Sequence, residues 1–145
     1  SIGYRFRFVE LAQEITERMP TYIAKRVQDA LNADRIAVNG SRILLLGVTY
    51  KADISDQRES PARPLAAQLL TMGAEVRYFD PFVDRFLVND RELPSVGDLA
   101  SAVEWSDLVV LIQAHSEIVG SEALVSASRI LDTRGVLIGD NVERL

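Results

Sequence analysis

The chain of 145 residues contains no cysteine and only one histidine. Without cysteine there can be no disulfide bond, no thiolate catalysis and no cysteine-held zinc, and one histidine is too few for a histidine-based metal cage. We therefore expect no metal site. Glycine and proline are also scarce, at eight and five residues, while 48% of the residues are hydrophobic. This composition favours a folded domain over a disordered or low-complexity chain.

Long hydrophobic runs and an excess of basic residues are missing as well. The longest apolar runs, ILLLGV and DLVVLI, have the length of strands and fall well short of the roughly 20 residues that cross a bilayer. The net charge is −5, whereas partners such as nucleic acids and anionic membranes are usually met by an excess of Lys and Arg. We expect neither partner. Because the sequence shows no signal peptide and no cysteine, we expect a cytoplasmic location.

A hydrophobic repeat at intervals of three or four residues between Tyr4 and Asn32 predicts a long amphipathic helix. The repeat consists of Phe8, Leu11, Ile15, Met19, Tyr22 or Ile23, Val27 and Ala30. Pro20 interrupts it and removes one backbone donor, so we expect a kink or a restart near Met19. The segment NADRIAVNGSR that follows is typical of a linker. Because an apolar stripe in water invites association, we expect the helix of residues 1–33 to pair with a second copy.

After the linker, strands alternate with helices. The predicted strands are RILLLGV (42–48), AEVRYFDP (74–81), DLVVLIQ (107–113) and RILDT (129–133), with VLIGD (136–140) as a further candidate. The predicted helices run from Ser60 and Pro61 to about Met72, through VGDLASAVEW (96–105) and from Glu122 to Ser126. We expect Gly73 to end the first of these as a left-handed cap. This alternation predicts an α/β fold, a parallel, Rossmann-like three-layer sheet domain over residues 40–145.

The segment GVTYKADISDQRE (47–59) follows the first predicted strand, at the edge where parallel sheets bind ligands. Lys51 and Arg58 suit a phosphate, and the N-terminus of the next helix directs a partial positive charge to the same place. The acidic residues Asp53, Asp56 and Glu59 are better suited to orienting these cations or to accepting hydrogen bonds from ribose hydroxyls or turn N–H groups. The alternative is a solvated surface loop, which is the commoner fate of a charged segment.

The segment LLLGVTYKADISDQRESPARPLAAQLLTMGAEVRYFDPFV resembles the C-terminal domain of the UDP-glucose and GDP-mannose dehydrogenase family. In the family, a strand leads to G-hydrophobic-small-aromatic-K, then D or N, D-x-R-E-S-P, a helix, G-A-x-V, a strand and D-P. The matching residues are Gly47, Tyr50, Lys51, Asp53, Asp56, Arg58, Glu59, Ser60, Pro61, Gly73, Ala74, Asp80 and Pro81. RFVELAQEITERMPTYIAKRVQDALN is similar to the family's central helix, and ILDTRGVL to its D-x-R segment.

The resemblance implies that the chain is the back part of an NAD-dependent dehydrogenase that oxidises C6 of a UDP-sugar to the uronic acid. By the family's pattern, Lys51 binds the UDP-sugar, Tyr50 flanks the uridine and Arg58 contacts NAD across an interdomain cleft. Arg134 in DTRG adds a second cation near the diphosphate. UDP-glucose enzymes often have two arginines in succession there, whereas Gly135 follows here. That difference favours the UDP-N-acetylhexosamine branch.

Three further residues are weaker site candidates. Arg7 has a counterpart in the family and could reach a substrate, although a surface arginine is as common. Asp53 belongs to the motif. His115 follows the third predicted strand, where a general base could lie, but a lone loop histidine is more often structural or solvated.

The family's chemistry also needs parts that this sequence does not contain. Its oxidation passes through a thioester on a cysteine that precedes the central helix, and its NAD binds at a G-x-G-x-x-G turn. The chain has neither, and it begins with Ser1 rather than methionine. We therefore expect the NAD-binding domain to lie outside this chain, which would not turn over alone. The alternative is a non-catalytic nucleotide-binding or assembly module, and the sequence leaves the sugar open.

Overall fold

The computed structural model describes residues 2–145, without the side chains of Ile2, Ile15 and Thr16. A long helix is followed by an α/β unit. In chain order the elements are α1 (Ile2–Ala33), β1 (Arg42–Leu46), α2 (Ala62–Thr71), β2 (Glu75–Phe79), β3 (Leu87–Val88), β4 (Arg91–Glu92), α3 (Leu99–Trp105), β5 (Leu108–Leu111), α4 (Ser116–Val119), a 3₁₀ helix (Glu122–Ser126), β6 (Ile130–Asp132) and β7 (Val142–Arg144). In the part of the chain that the structure describes, no helix is long and apolar enough to cross a membrane.

The main sheet has five strands in the order β2-β1-β5-β6-β7, and all its pairs are parallel. The chain leaves β1 to one side for β2 and later returns to the other side of β1 for β5. This reversal makes the β1/β5 boundary the topological switch point of the sheet. Open α/β sheets bind ligands outside the carboxyl ends of the strands at such a point. The predicted parallel fold is confirmed.

Helices cover both faces of the sheet, which explains why β1 is apolar at successive positions. Ile43 and Leu45 point into the core shared with α1 and α2. Leu44 and Leu46 point into the core shared with α3, α4 and the 3₁₀ helix. The three-layer arrangement follows from this alternation, because each face of a strand takes every second residue.

Two parts of the fold differ from the sequence-based prediction. The prediction of a strand at VLIGD is wrong, since the fifth parallel strand is β7 and residues 136–140 form a loop. The backbone N–H groups of Val136 and Leu137 donate to the carboxylate of Asp132, so they cannot join a strand ladder. The β3–β4 hairpin was not predicted. Asn89 and Asp90 at its turn both have positive φ angles, of 50° and 63°, and this dipeptide is the signal that could have revealed it.

Helix α1 continues through Pro20 without a break, so of the predicted kink or restart near Met19 the restart is wrong. The turns after the proline pack against the sheet, with Ile23 and Val27 fully buried, and this tertiary packing stabilises the helix past the missing donor. The apolar stripe is therefore divided. Its second half belongs to the chain's own core, whereas Phe8 is 65% exposed.

The direction of α1 follows from its polar contacts. Asp34, just after the helix, pairs with Arg129 ahead of β6, and Arg26 donates to the backbone oxygen of Arg144 at the end of β7. The helix thus runs antiparallel to the strands, and its first half extends past their carboxyl ends. At 1.5 Å per residue, Arg7 lies about 18 Å along the axis from Met19, the first residue packed on the core.

Candidate functional site

Three loops meet at the carboxyl edge of the sheet. Since β1, β5 and β6 are parallel neighbours spaced by about 4.8 Å, the loops that follow them lie side by side. Tyr50, Lys51 and Arg58 lie in the first loop and Arg134 in the third, so the fold brings all four to one edge. The loops are the β1 loop (47–61), the β5 loop (112–115) and the β6 loop (133–141).

Tyr50 and Lys51 present exposed side chains from a fixed backbone. The N–H of Tyr50 donates to the carbonyl of Asp56 at 2.7 Å, and the buried amide of Gln113 donates to the carbonyl of Tyr50 at 2.9 Å. The ammonium of Lys51 lies 5.9 Å from the centroid of the Tyr50 ring, within cation–π range. An aromatic face and a positive charge are therefore offered together at the switch point.

Arg58 is oriented by Asp56, as predicted for this acidic residue. Its guanidinium donates to both carboxylate oxygens, at 3.0 and 3.1 Å, although its side chain is 87% exposed. The hydrogen bonds from Arg58 lower the pKa of Asp56, and the same contact raises the pKa of Arg58. A cation held in this way keeps its direction while it remains open to solvent.

Asp53 connects the β1 loop to α4 rather than to a nearby cation. Its backbone has a positive φ of 60°. Its carboxylate accepts hydrogen bonds from the backbone N–H and the hydroxyl of Ser116, at 2.8 and 2.7 Å. These bonds, the hydroxyl first, lower the pKa of Asp53. In this structure Asp53 thus accepts an N–H and a hydroxyl of the chain itself, and a role toward ribose hydroxyls stays a prediction.

His115 is fully buried, and both ring nitrogens are used within the chain. Nδ1 accepts the backbone N–H of Asp53 at 2.8 Å, so it carries no proton. Nε2 is then the protonated nitrogen, and it lies 2.9 Å from Asp80 Oδ2 and 3.2 Å from Thr49 Oγ1. A general base needs a nitrogen open to its substrate. In this structure the ring offers none.

Asp80 closes the end of β2. Its buried carboxylate accepts the backbone N–H of Val48 at 2.7 Å and that of Phe82 at 2.9 Å, besides facing His115. The carboxylate thus joins the ends of β1 and β2 to the β5 loop. Sequence reasoning missed this connection because it joins three segments that are far apart in the chain.

Arg134 is exposed on a loop that a buried carboxylate organises. The side chain of Asp132 is fully buried at the end of β6. It accepts four backbone N–H bonds of 2.8–2.9 Å, from Arg134, Gly135, Val136 and Leu137. Sequence reasoning missed this role, although an aspartate ahead of Thr-Arg-Gly is a recognisable turn signal.

The start of α2 offers fewer donors than a helix N-terminus normally does. The N–H of Ala62 already donates to the hydroxyl of Ser60 at 3.1 Å, and Pro64 has no N–H. The expected anion site at this terminus is therefore weaker than the sequence suggested. Any anion bound at this edge depends more on the side chains of Lys51, Arg58 and Arg134.

Two other expectations concern Arg7 and a metal site. Arg7 is exposed on the first half of α1, and its role toward a substrate stays a prediction. Among the side chains that the structure describes, no group of three or more His, Asp or Glu is placed to hold a metal ion.

A parallel sheet of this order, with an aromatic ring and several cations at its switch point, defines a nucleotide-binding α/β domain. The chain belongs to the UDP-glucose/GDP-mannose dehydrogenase family: the family model of its UDP binding domain matches residues 44–139. The resemblance predicted from the sequence is confirmed.

The similar proteins include UDP-N-acetylhexosamine enzymes. A UDP-N-acetyl-D-mannosamine dehydrogenase of Methanococcus maripaludis is 34% identical over 75% of this chain and 24% of its own length. The structure of the UDP-D-ManNAc dehydrogenase of Pyrococcus horikoshii aligns with a TM-score of 0.77 and 26% identity, over 92% of this chain and 32% of that one. A UDP-N-acetyl-mannosamine dehydrogenase structure from Staphylococcus aureus aligns with a TM-score of 0.72 and 26% identity, over 98% of this chain and 33% of that one. The chain therefore spans about a quarter to a third of these relatives.

Proposed function

We propose that this chain is the UDP-sugar-binding part, with the connecting helix, of an NAD-dependent dehydrogenase that oxidises C6 of a UDP-sugar to the uronic acid. One observation carries the proposal. Within the matched region, Tyr50 and Lys51 stand exposed on a backbone that Gln113 and Asp56 fix at the switch point. A rigid backbone with an aromatic ring beside a cation suits a nucleoside diphosphate, because the ring can stack on the base and the cation can pair with phosphate.

Each exposed side chain takes one task in this proposal. Tyr50 flanks the uridine, and Lys51 and Arg134 bind the diphosphate of the substrate from two neighbouring loops. Arg58, held in its direction by Asp56, contacts NAD. The substrate is a UDP-N-acetylhexosamine, since Gly135 rather than a second arginine follows Arg134 and the relatives named above act on that class.

The remaining parts of the reaction belong to a preceding segment in this proposal. The sequence has no G-x-G-x-x-G turn for a dinucleotide and no cysteine for a thioester. The helix of residues 1–33 then connects that segment to the UDP-sugar-binding domain of residues 40–145. We expect this chain alone to form no NADH. We expect the whole enzyme to be cytoplasmic.

The helix also forms a homodimer in this proposal. Its first half exposes Tyr4, Phe6, Phe8, Val9 and Leu11. Large apolar side chains in such number are costly in water, and a second copy of the same helix can cover them. The second half of the stripe is excluded from that contact, because Ile23 and Val27 are already buried within the chain.

UDP binding to the chain tests the nucleotide site. We expect UDP to raise the melting temperature, because a ligand that binds only the folded state stabilises it. Lys51→Ala should weaken the affinity roughly tenfold or more, the worth of a charge-assisted hydrogen bond. The chain's other lysine, Lys25, pairs with Asp29 on the surface of α1, and Lys25→Ala is the matched control. Equal melting shifts in both variants would count against the site.

The coding sequence ahead of the Ser1 codon tests the enzymatic part. An open reading frame with a G-x-G-x-x-G turn and a cysteine shortly before α1 supports the dehydrogenase. A start codon directly before Ser1 favours the second candidate, a non-catalytic nucleotide-binding module. The supporting observation for it is the exposed pair Tyr50 and Lys51 in a chain without cysteine.

A further inference from the structure

We propose that His115 is a positioning residue of the nucleotide site. As a neutral imidazole protonated on Nε2, it holds the backbone of Asp53 directly and that of Lys51 through the hydroxyl of Thr49, without meeting the ligand itself. This inference rests on the proposed function, because it concerns the same site. It assigns the fully buried histidine a task that neither general-base chemistry nor metal binding explains.

The first link joins His115 to Asp53, two residues after Lys51 in the chain. Nδ1 accepts the backbone N–H of Asp53 at 2.8 Å, in a stretch where Asp53 has a φ of 60°. A residue other than glycine resists that left-handed conformation, so it needs contacts that hold it. The histidine supplies one on the backbone, and Ser116 supplies two on the carboxylate.

The second link reaches the lysine through a hydroxyl. Thr49 Oγ1 donates to the carbonyl oxygen of Lys51 at 2.7 Å, so its one proton is in use. It can therefore only accept from Nε2 of His115, 3.2 Å away, and it shares the single Nε2 proton with Asp80 Oδ2, which lies nearer at 2.9 Å. The route from the ring to the lysine backbone is a chain of two hydrogen bonds with a fixed direction.

Asp80 determines which nitrogen carries the proton. Its Oδ2 lies 2.9 Å from Nε2 and accepts the Nε2 proton, which leaves Nδ1 free to accept the N–H of Asp53. The ring of Phe82 lies 4.9 Å from the imidazole, centroid to centroid, and adds an apolar neighbour. A buried ring in a defined tautomer can hold two backbone segments at once, which a solvated histidine cannot do.

The placement of the ring explains why the site needs it. Lys51 belongs to the β1 loop and His115 to the end of the β5 loop, on the two sides of the switch point. Beyond the last paired residues, Leu46 and Leu111, the strand ladder no longer joins these segments. The imidazole and the amide of Gln113 continue the connection where the ladder ends. Without the imidazole we expect the Lys51 backbone to sample many positions, and nucleotide binding to lose affinity.

Two substitutions separate the two arms of the ring. His115→Asn keeps an acceptor near the position of Nδ1 for the N–H of Asp53 but loses the donor to Asp80 and Thr49, while the hydroxyl of Thr49 can still donate to Lys51. His115→Gln keeps a donor near Nε2 but loses the acceptor. UDP affinity is measured by calorimetry on the 145-residue chain, well below the melting temperature of each variant. We expect His115→Asn to stay within about threefold of the wild type, and His115→Gln to bind roughly tenfold more weakly.

Two further measurements keep the test decisive. The chain has one histidine, so ¹⁵N-histidine spectra report this ring alone, and we expect the pattern of the neutral Nε2-protonated tautomer. Thr49→Val keeps the shape of the side chain and removes the hydroxyl that joins Nε2 of His115 to the carbonyl of Lys51, so it serves if His115→Gln does not fold. We expect it to bind UDP several-fold more weakly.

The outcomes distinguish the two proposals. No UDP binding by the wild type overturns the proposed function. UDP binding by the wild type with unchanged affinity in His115→Gln, or in Thr49→Val if the former does not fold, overturns the positioning role alone. A histidine that only stabilises the fold would lower the melting temperature of both histidine variants and leave their UDP affinities equal. The opposite tautomer in the spectra would also contradict the positioning role.

Discussion

The backbone carbonyl of Gln113 occupies the place that a side chain on Gly47 would need. A Cβ atom on Gly47 would overlap that oxygen, and the glycine has a φ of +76°. The two residues end neighbouring strands at the switch point, so their contact brings the β1 and β5 loops together. It also lets the amide of Gln113 reach the carbonyl of Tyr50.

Gly47→Ala should therefore disturb both the fold and the nucleotide site. We expect a loss of at least about 2 kcal/mol in the free energy of unfolding, because the clash involves backbone and the φ angle is unfavourable for alanine. Chemical denaturation measures the loss. Gly97 has no atom within 4 Å of its added Cβ and no positive φ. Gly97→Ala is the control, and an equal loss there would refute the explanation.

Asp132→Asn should loosen the loop that carries Arg134. The amide can replace only one of the two carboxylate oxygens, so two of the four backbone N–H groups that the side chain satisfies lose their acceptor. We expect a cost of about 2 kcal/mol or more, together with faster amide hydrogen exchange at residues 134–137. Asp140→Asn removes an exposed carboxylate from the same loop as a control. Unchanged exchange in Asp132→Asn would contradict this role.

The layers of the fold could be predicted because they depend on local patterns. The apolar run before Gly47 and the period of three or four in α1 each indicate an element whatever its partners are. Gly73 ends α2 with a φ of +91°, as predicted, because its chemistry is local too. VLIGD failed because the carboxylate of Asp132 takes its backbone donors, a competition that a count of apolar residues does not include.

The exposed part of the site could be predicted as well, but its support could not. Lys51 and Arg58 are recognised by residue type and by spacing within one loop. The bonds that fix this loop come from Asp80, Gln113 and His115, which lie on other strands. These side chains reach the loop only after the sheet has formed, so no local sequence pattern predicts their hydrogen bonds.

Asp53→Asn should change how stability depends on pH. The folded-state pKa of Asp53 lies below its ordinary value of 3.8, mainly because of the Ser116 hydroxyl. The ionised form therefore contributes stability that is complete above pH 3.8 and is lost as the pH falls through the folded pKa. Asparagine tolerates the positive φ of this position and cannot ionise, so it isolates the charge.

We expect the difference in stability between the wild type and Asp53→Asn to shrink as the pH is lowered from neutrality to below 3.8. Denaturation series at several pH values measure it. The matched series on Asp140→Asn controls for the loss of one charge. A difference that stays constant with pH would show that the Ser116 contact does not depend on the charge of Asp53.

Phe8→Ser combined with Leu11→Ser should shift the chain from dimer to monomer. Both side chains are exposed on α1, at 65% and 55%, and neither belongs to the core, so the substitutions should leave the fold intact. Sedimentation velocity measures the change in mass. Val125→Ser removes an apolar residue of the 3₁₀ helix that is still more exposed, at 82%, and serves as the control. A wild type that is monomeric at all concentrations would refute dimerisation through α1.

Arg134→Ala should weaken UDP binding more than UMP binding. Arg134 lies at the end of β6 on the same edge as Lys51, one strand beyond β5, where a second phosphate can come within reach of both cations. UMP lacks the terminal phosphate, so the wild type should prefer UDP and the variant should lose most of that preference, roughly a tenfold factor. Competition binding gives both affinities. Arg91 lies in the β3–β4 hairpin, outside the main sheet, and Arg91→Ala should leave the ratio unchanged. Equal weakening of UDP and UMP by Arg134→Ala would place Arg134 away from the diphosphate and leave Lys51 as its principal cation.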